Sequence, residues 1–168
     1  LVEGRLNWQD KVLLRLAPDG SLESQHTAPS TGFGTSGVND AVELPDRSLV
    51  VAGSFTQLGA ATVGRIVRFL PGGARDGAFG PSVDGTIHTL ALQPDGKVVL
   101  GGEFLTIDGV PAPRLARLHA DGSLDSTFRP GFGPDRRVLR IRRQADGALV
   151  ILGEFTAIDG VPLTAFMA

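Results

Sequence analysis

Residues 91–104 read ALQPDGKVVLGGEF. The same phrase returns as ELPDRSLVVAGSF at 43–55 and as RQADGALVILGEF at 143–155. Asp46, Asp95 and Asp146 correspond, as do Gly53, Gly102 and Gly153, then Phe55, Phe104 and Phe155, at steps of 49 and 51 residues. A second phrase, RLARLHADGSLDSTF at 114–128, matches RIVRFLPGGARDGAF at 65–79 and VLLRLAPDGSLESQH at 12–26. Within it Arg15, Arg68 and Arg117 coincide. Self-similarity at a fixed period of this length is the mark of a repeat architecture, in which one supersecondary unit is built again and again.

Each unit reads as about four short strands. In the clearest copy these are TIHTLALQ (86–93), KVVLGGEF (97–104), RLARLHA (114–120) and the short SLDSTF (123–128), with the loop LTIDGVPAP (105–113) between the second and third. Asp-Gly pairs punctuate the strands, and Gly there accepts a positive φ at little cost. The second strand carries three consecutive large apolar residues: Val98, Val99 and Leu100, repeated as Leu49, Val50, Val51 and as Leu149, Val150, Ile151. A run without alternation implies burial on both faces. The glycine that follows it each time implies a neighbour too close for a Cβ. Nothing sustains a 3.6-residue period long enough for a helix.

The expected fold is therefore all-β: antiparallel four-stranded blades of about 50 residues, packed radially as a β-propeller, whose blades run about 40–50 residues and number about 4–8. The rival, a β-solenoid, is built from shorter coils without paired hairpins. The chain divides into a half unit at 1–37, units at 38–85 and 86–135, and a half unit at 136–168. Closing such a chain on itself would give three blades, below the usual range. It reads as part of a longer array, starting with Leu rather than Met; the other account is that two chains combine into one ring.

The phrases of residues 90–128 resemble the delta-60 repeat, a β-propeller repeat of bacterial, mostly extracellular or envelope proteins. The likeness covers nearly the whole chain. It weakens in the second unit, where Arg47 replaces one turn glycine and Gly72-Gly73 an Asp-Gly, and in the first, where His26 stands in the place of Phe79 and Phe128. The resemblance implies a secreted or cell-envelope location and an architecture more than an activity.

The remaining chemistry is sparse. Cysteine is absent, which excludes disulfides, thiolate metal sites and cysteine nucleophiles. Net charge is −2, giving no general attraction to nucleic acid, and no apolar run approaches the ~20 residues of a membrane helix. His26, His88 and His119 fall at different places in the repeat, so no metal site is expected, and the aspartates of the Asp-Gly pairs read as turn formers. No nucleophile elbow or triad pattern appears. Glu103 and Glu154 share one repeat position, but Ser54 occupies it in the second unit, and a repeated position is structural where a catalytic residue is unique. Gly32-Phe33-Gly34 and Gly131-Phe132-Gly133 recur between units and read as backbone turns rather than phosphate loops. No cofactor and no enzymatic activity are expected.

Two cationic features stand out. Arg15, Arg68 and Arg117 lie mid-strand and call for acids, expected as blade-to-blade ion pairs. The stretch RRVLRIRR at 136–143 holds five arginines in eight residues and departs from its counterparts GVNDAVEL and DGTIHTLA. Arg136, Arg137, Arg140, Arg142 and Arg143 are the candidate contacts to an anion or a partner. The expected role is a noncatalytic interaction or structural scaffold with a protein or glycan ligand, its ring completed by further blades or by self-association. The alternative is part of a larger propeller hydrolase or lyase whose active site lies in blades elsewhere.

Overall fold

A computed structural model describes residues 12–27, 37–128 and 130–163, with the backbone alone for the strands of the first half unit. In that half unit β1 (Val12–Leu16) pairs antiparallel with β2 (Leu22–Thr27). The second unit holds β3 (Val38–Glu43), β4 (Leu49–Gly53), β5 (Gln57–Leu58), β6 (Ala61–Thr62) and β7 (Ile66–Phe69). The third repeats it as β8 (Ile87–Leu92), β9 (Val98–Gly102), β10 (Thr106–Ile107), β11 (Val110–Pro111) and β12 (Leu115–Leu118). The fourth gives β13 (Val138–Arg143), β14 (Leu149–Gly153), β15 (Ala157–Ile158) and β16 (Val161–Pro162). Every pairing is antiparallel, and no helix occurs among the described residues, so none there is long and apolar enough to cross a membrane.

The blades are three-stranded sheets in the orders β3-β4-β7 and β8-β9-β12. The expected fourth strand is reduced to a single bridge, Leu118 opposite Leu124 and Phe69 opposite Arg75. The segment after that bridge is held by side chains instead: Asp125 Oδ1 accepts the amide of Thr127 at 2.9 Å. The loop after the second strand is also more ordered than its composition suggests. It forms a tight hairpin, β10–β11, turned by Asp108 and Gly109 at φ 52° and 75°. Two positive φ values in a two-residue turn match the twist of the flanking strands, which is why Asp-Gly is placed there.

The turns between first and second strands follow one design. The side chains of Asp46, Asp95 and Asp146 each accept the amide two residues on, at 2.9 to 3.2 Å, and Asp19 and Asp121 do the same at 2.9 Å in turns between third and fourth strands. The residue after the aspartate takes a positive φ, and Arg47 does so at 69° where the other copies have glycine.

Burial follows the non-alternating runs. β4 and β9 are buried along their whole length. Val50 and Ala52 join Leu90, Val98 and Leu100 in one core between the second and third units, with Phe104 and Phe79. Val99 and Ala91 join Val138 and Ile141 in a core between the third and fourth. Alternate residues of one strand thus serve two different interfaces, and each large side chain so buried contributes roughly 1.5–3 kcal/mol.

Candidate functional site

The interfaces between units are also tied by polar groups at matching positions. Asp40 Oδ2 accepts the amide of Leu90 at 2.8 Å, and Asn39 donates to the Ile87 carbonyl at 2.8 Å. Thr89, the counterpart of Asp40, accepts the amide of Ile141 through its hydroxyl at 3.2 Å. The linker between units is held from both sides: Val83 donates to the Gly64 carbonyl at 3.2 Å, while Asp108 donates its amide to the Ser82 carbonyl at 2.8 Å. Arg65 and Arg114, at φ 67° and 64°, donate to the linker carbonyls of Val83 (2.6 Å) and Pro134 (3.1 Å).

The mid-strand arginines find their acids within their own unit, not across the boundary. Arg68 is paired with Asp76 through Nε at 2.8 Å, and Arg117 with Asp125 through Nε at 2.8 Å. In both copies the acid follows the arginine by eight residues, a spacing visible in the sequence. What crosses the boundary is one arm of Arg68, which donates to the Ala120 carbonyl. Each guanidinium also stacks on the phenylalanine of its unit, Arg68 at 5.0 Å from the Phe79 ring and Arg117 at 4.9 Å from that of Phe128. Arg15 and His26 lie in β1 and β2, and their side chains are outside the described residues.

Asp125 is 1% exposed and takes two cations on Oδ2, Arg117 and the Nζ of Lys97 at 2.9 Å. The Thr127 hydroxyl, then Lys97, hold its carboxyl far below the usual range. Asp135 caps the loop before β15, and the amide of Ala157, then the hydroxyl of Thr156, hold it down to about 2. Asp84 is its counterpart, accepting the amides of Leu105 and Thr106 at 2.8 and 3.0 Å.

A folded-state pKa below the unfolded value of about 3.9 adds stability above that value, and this is lost as pH falls through the folded pKa. Stability should therefore be level from about pH 7 to 5 and fall between about pH 4 and 2. NMR titration should place the Asp135 midpoint near 2; a midpoint close to that of a free aspartate would show the cap is not formed.

The five arginines of residues 136–143 are divided by a bulge between Val138 and Arg140. Arg137 bridges two units: it reaches Glu103 at 3.2 Å and Glu154 at 2.6 Å, and Glu103 also meets His88 at 3.1 Å. The repeated glutamates, weighed as a carboxylate pair, are thus the two ends of an inter-unit ion pair. Arg136 lies exposed next to Asp135. Arg143 is opposite Leu149 and donates to the Gln144 carbonyl at 3.2 Å.

Arg140 and Arg142 are opposite Leu152 and Val150, so the four share one face of the sheet. Leu152 and Val150 are 63% and 48% exposed there. Neither Arg140 nor Arg142 makes a hydrogen bond or ion pair among the described residues. They occupy the positions of Asp40 and Val42, and of Thr89 and Ala91, which in the earlier units face the next blade. Simple alternation along RRVLRIRR groups Arg140 with Arg142 but would add Val138 to their face; the bulge instead places Val138 in the core with Ile141.

Beside β12 lies a groove of about 370 Å³, lined by Leu115, Ala116, Arg117, Asp125, Phe128 and Pro130 among others. Phe128 is half-buried there, whereas its counterpart Phe79 is 1% exposed. Gly131 and Gly133 turn the backbone at φ 66° and 67°, and the Phe132 amide donates to Asp159 at 2.9 Å, so this glycine-rich stretch is a turn held by a side chain. Among the described residues no three His, Cys, Asp or Glu side chains gather as metal ligands would.

Residues 44–79 and 93–128 each match the family described as Domain of unknown function (DUF5122) beta-propeller. No curated protein and no solved structure matches the chain. The two matched stretches run from the turn before the second strand to the phenylalanine that ends the unit, in the second unit and again in the third. With its antiparallel sheets, buried second strands and inter-unit cores, the chain is a β-propeller repeat protein.

Proposed function

We propose that the chain is part of a delta-60-type propeller that serves as a noncatalytic structural and interaction scaffold, secreted or at a bacterial cell envelope. Its partner is met through the fourth half unit. The observation that carries this reading is the shared face of Arg140, Arg142, Val150 and Leu152, cationic and apolar together and open to solvent. Elsewhere in the described structure the recurring charged residues are engaged in holding the blade: Arg68 with Asp76, Arg117 with Asp125, Arg137 with two glutamates. An open cationic face with apolar neighbours suits a partner, protein or glycan, that presents acidic groups beside apolar surface.

The test is retention on immobilised heparin or another anionic glycan. The chain should be retained at low salt, and Arg140→Ala with Arg142→Ala should elute at clearly lower salt with an unchanged melting temperature. Equal retention of the double variant would refute the anionic-partner reading.

A further inference from the structure

We infer that the face of Arg140, Arg142, Val150 and Leu152 is built for a carboxylate-bearing polypeptide and does not accept another blade of this repeat. This rests on the scaffold reading above and chooses protein over glycan as the partner. Three successive units carry the same set of positions on the corresponding face of their first two strands. In the second unit Asp40 lies opposite Ala52 and Val42 opposite Val50. In the third, Thr89 lies opposite Gly101 and Ala91 opposite Val99. In the fourth, Arg140 lies opposite Leu152 and Arg142 opposite Val150.

The second and third units each meet a like neighbour through this face, and in the same way. An oxygen on the first strand accepts a first-strand amide of the next unit: Asp40 Oδ2 from Leu90 at 2.8 Å, the Thr89 hydroxyl from Ile141 at 3.2 Å. The residue opposite that oxygen is small. Ala52 is fully buried, and a Cβ on Gly101 would lie 2.5 Å from a methyl of Val138 and 2.9 Å from one of Ile141. The position two residues along the first strand is apolar: Val42 packs on the core shared with the third unit, and Ala91 belongs to the core shared with the fourth.

The fourth unit changes all three features. Arg140 brings only donors to the place where Asp40 and Thr89 accept. A strand amide arriving there would meet a guanidinium, donor against donor. Leu152 brings a branched side chain to the place where the third unit has no room for a single Cβ. Arg142 brings a charge to the place where a like neighbour packs apolar side chains, and a charge buried without its counter-charge is costly. Only Val150 keeps the character of its counterparts.

The same residues specify what does fit. Arg140 and Arg142 form a charged row on β13, and Leu152 and Val150 form an apolar row on β14, about 4.8 Å away. Carboxylates match the guanidinium fork, and apolar side chains cover the second row. A polypeptide with acidic and apolar residues on one face supplies both. An anionic glycan supplies the charge and leaves Val150 and Leu152 uncovered.

Two experiments on the full chain test the two halves of the inference. Thr89→Arg writes the fourth unit's residue into the boundary between the third and fourth. The melting temperature should fall and the Ile141 amide should exchange much faster, or the chain should fail to fold, while Thr89→Ser keeps the acceptor and behaves as the parent. Parent-like melting and exchange of Thr89→Arg, or equal losses in both variants, overturns the exclusion of a like blade. For the partner, the methyl resonances of Val150 and Leu152 are followed by NMR during titration with the synthetic peptide EEVVEEVV, whose extended chain carries Glu and Val on each face. They should report an affinity roughly tenfold or more above that for KKVVKKVV, although the net charge of −2 favours the lysine peptide. Arg140→Ala with Arg142→Ala should remove the difference. Equal affinity for the two peptides, or no methyl shift with either, overturns the inference. Heparin retention is a separate readout. If it ignores the two arginines while the acidic peptide shifts both methyls, the glycan arm of the scaffold reading falls and the polypeptide partner stands. If it depends on them while the methyls stay still, the cationic face stands and the polypeptide partner falls.

Discussion

Gly102→Ala should lower the unfolding midpoint by roughly 10 °C, nearly as much as Gly102→Val, which corresponds to about 3 kcal/mol or more for a chain of this size. The expectation is specific because the obstacle sits at the first side-chain atom. A Cβ on Gly102 would lie 2.1 Å from the carbonyl oxygen of Thr86 and 3.0 Å from the Cα of Ile87. Both are backbone atoms of the same unit, at the bulge that opens β8. The carbonyl cannot swing away freely, since it accepts the amide of Glu103 at 2.8 Å. Relief would cost that hydrogen bond or the bulge itself.

The arrangement recurs: a Cβ on Gly53 would meet the Gly37 carbonyl oxygen at 2.0 Å, and one on Gly153 that of Arg137 at 2.4 Å. Gly77→Ala is the control, because a Cβ at Gly77 meets nothing within 4 Å. Calorimetry of the three variants decides the matter. If Gly102→Ala melts like the parent, the close approach is not a constraint on the fold.

Asp125→Asn should be the second large loss, again of roughly 10 °C in the unfolding midpoint. Both carboxylate oxygens are acceptors: Oδ1 takes the Thr127 amide and hydroxyl, at 2.9 and 2.6 Å, and Oδ2 takes Arg117 and Lys97. An amide side chain puts an NH2 group against donors whichever way it turns, and leaves two cations facing each other without their counter-charge. The position is 1% exposed, so water does not take over the lost role. Asp76→Asn in the second unit should cost less, since Asp76 answers one cation and its side chain is 13% exposed. Thermal melts of the two variants, measured together at neutral pH, test the order. Equal losses would show that the second cation on Asp125 contributes little.

Much of this fold is legible in the residue order. The repeat is visible as a phrase, the strands as apolar runs between turn residues, and the turns as Asp-Gly pairs with positive φ. These are local properties, governed by sterics and by hydrogen bonds between residues two or three apart. Even the glycine after the second strand could be read as a close approach. The identity of its neighbour could not, because the bulge in the first strand has no sequence mark of its own. The corresponding bulge of the fourth half unit takes Val138 off the face of Arg140 and Arg142 and buries it with Ile141.

The partners of the charged residues were legible only in part. The spacing of eight between Arg68 and Asp76, and between Arg117 and Asp125, lay in the sequence. That this pair closes within a blade, while an arginine arm reaches the carbonyl of the next, follows from sheet packing. Residue order fixes the repeating unit because strands and turns are set by near neighbours. How units meet and which residues of the fourth half unit share a face are set by contacts between residues about 50 positions apart. Those contacts exist only once blades have packed face against face.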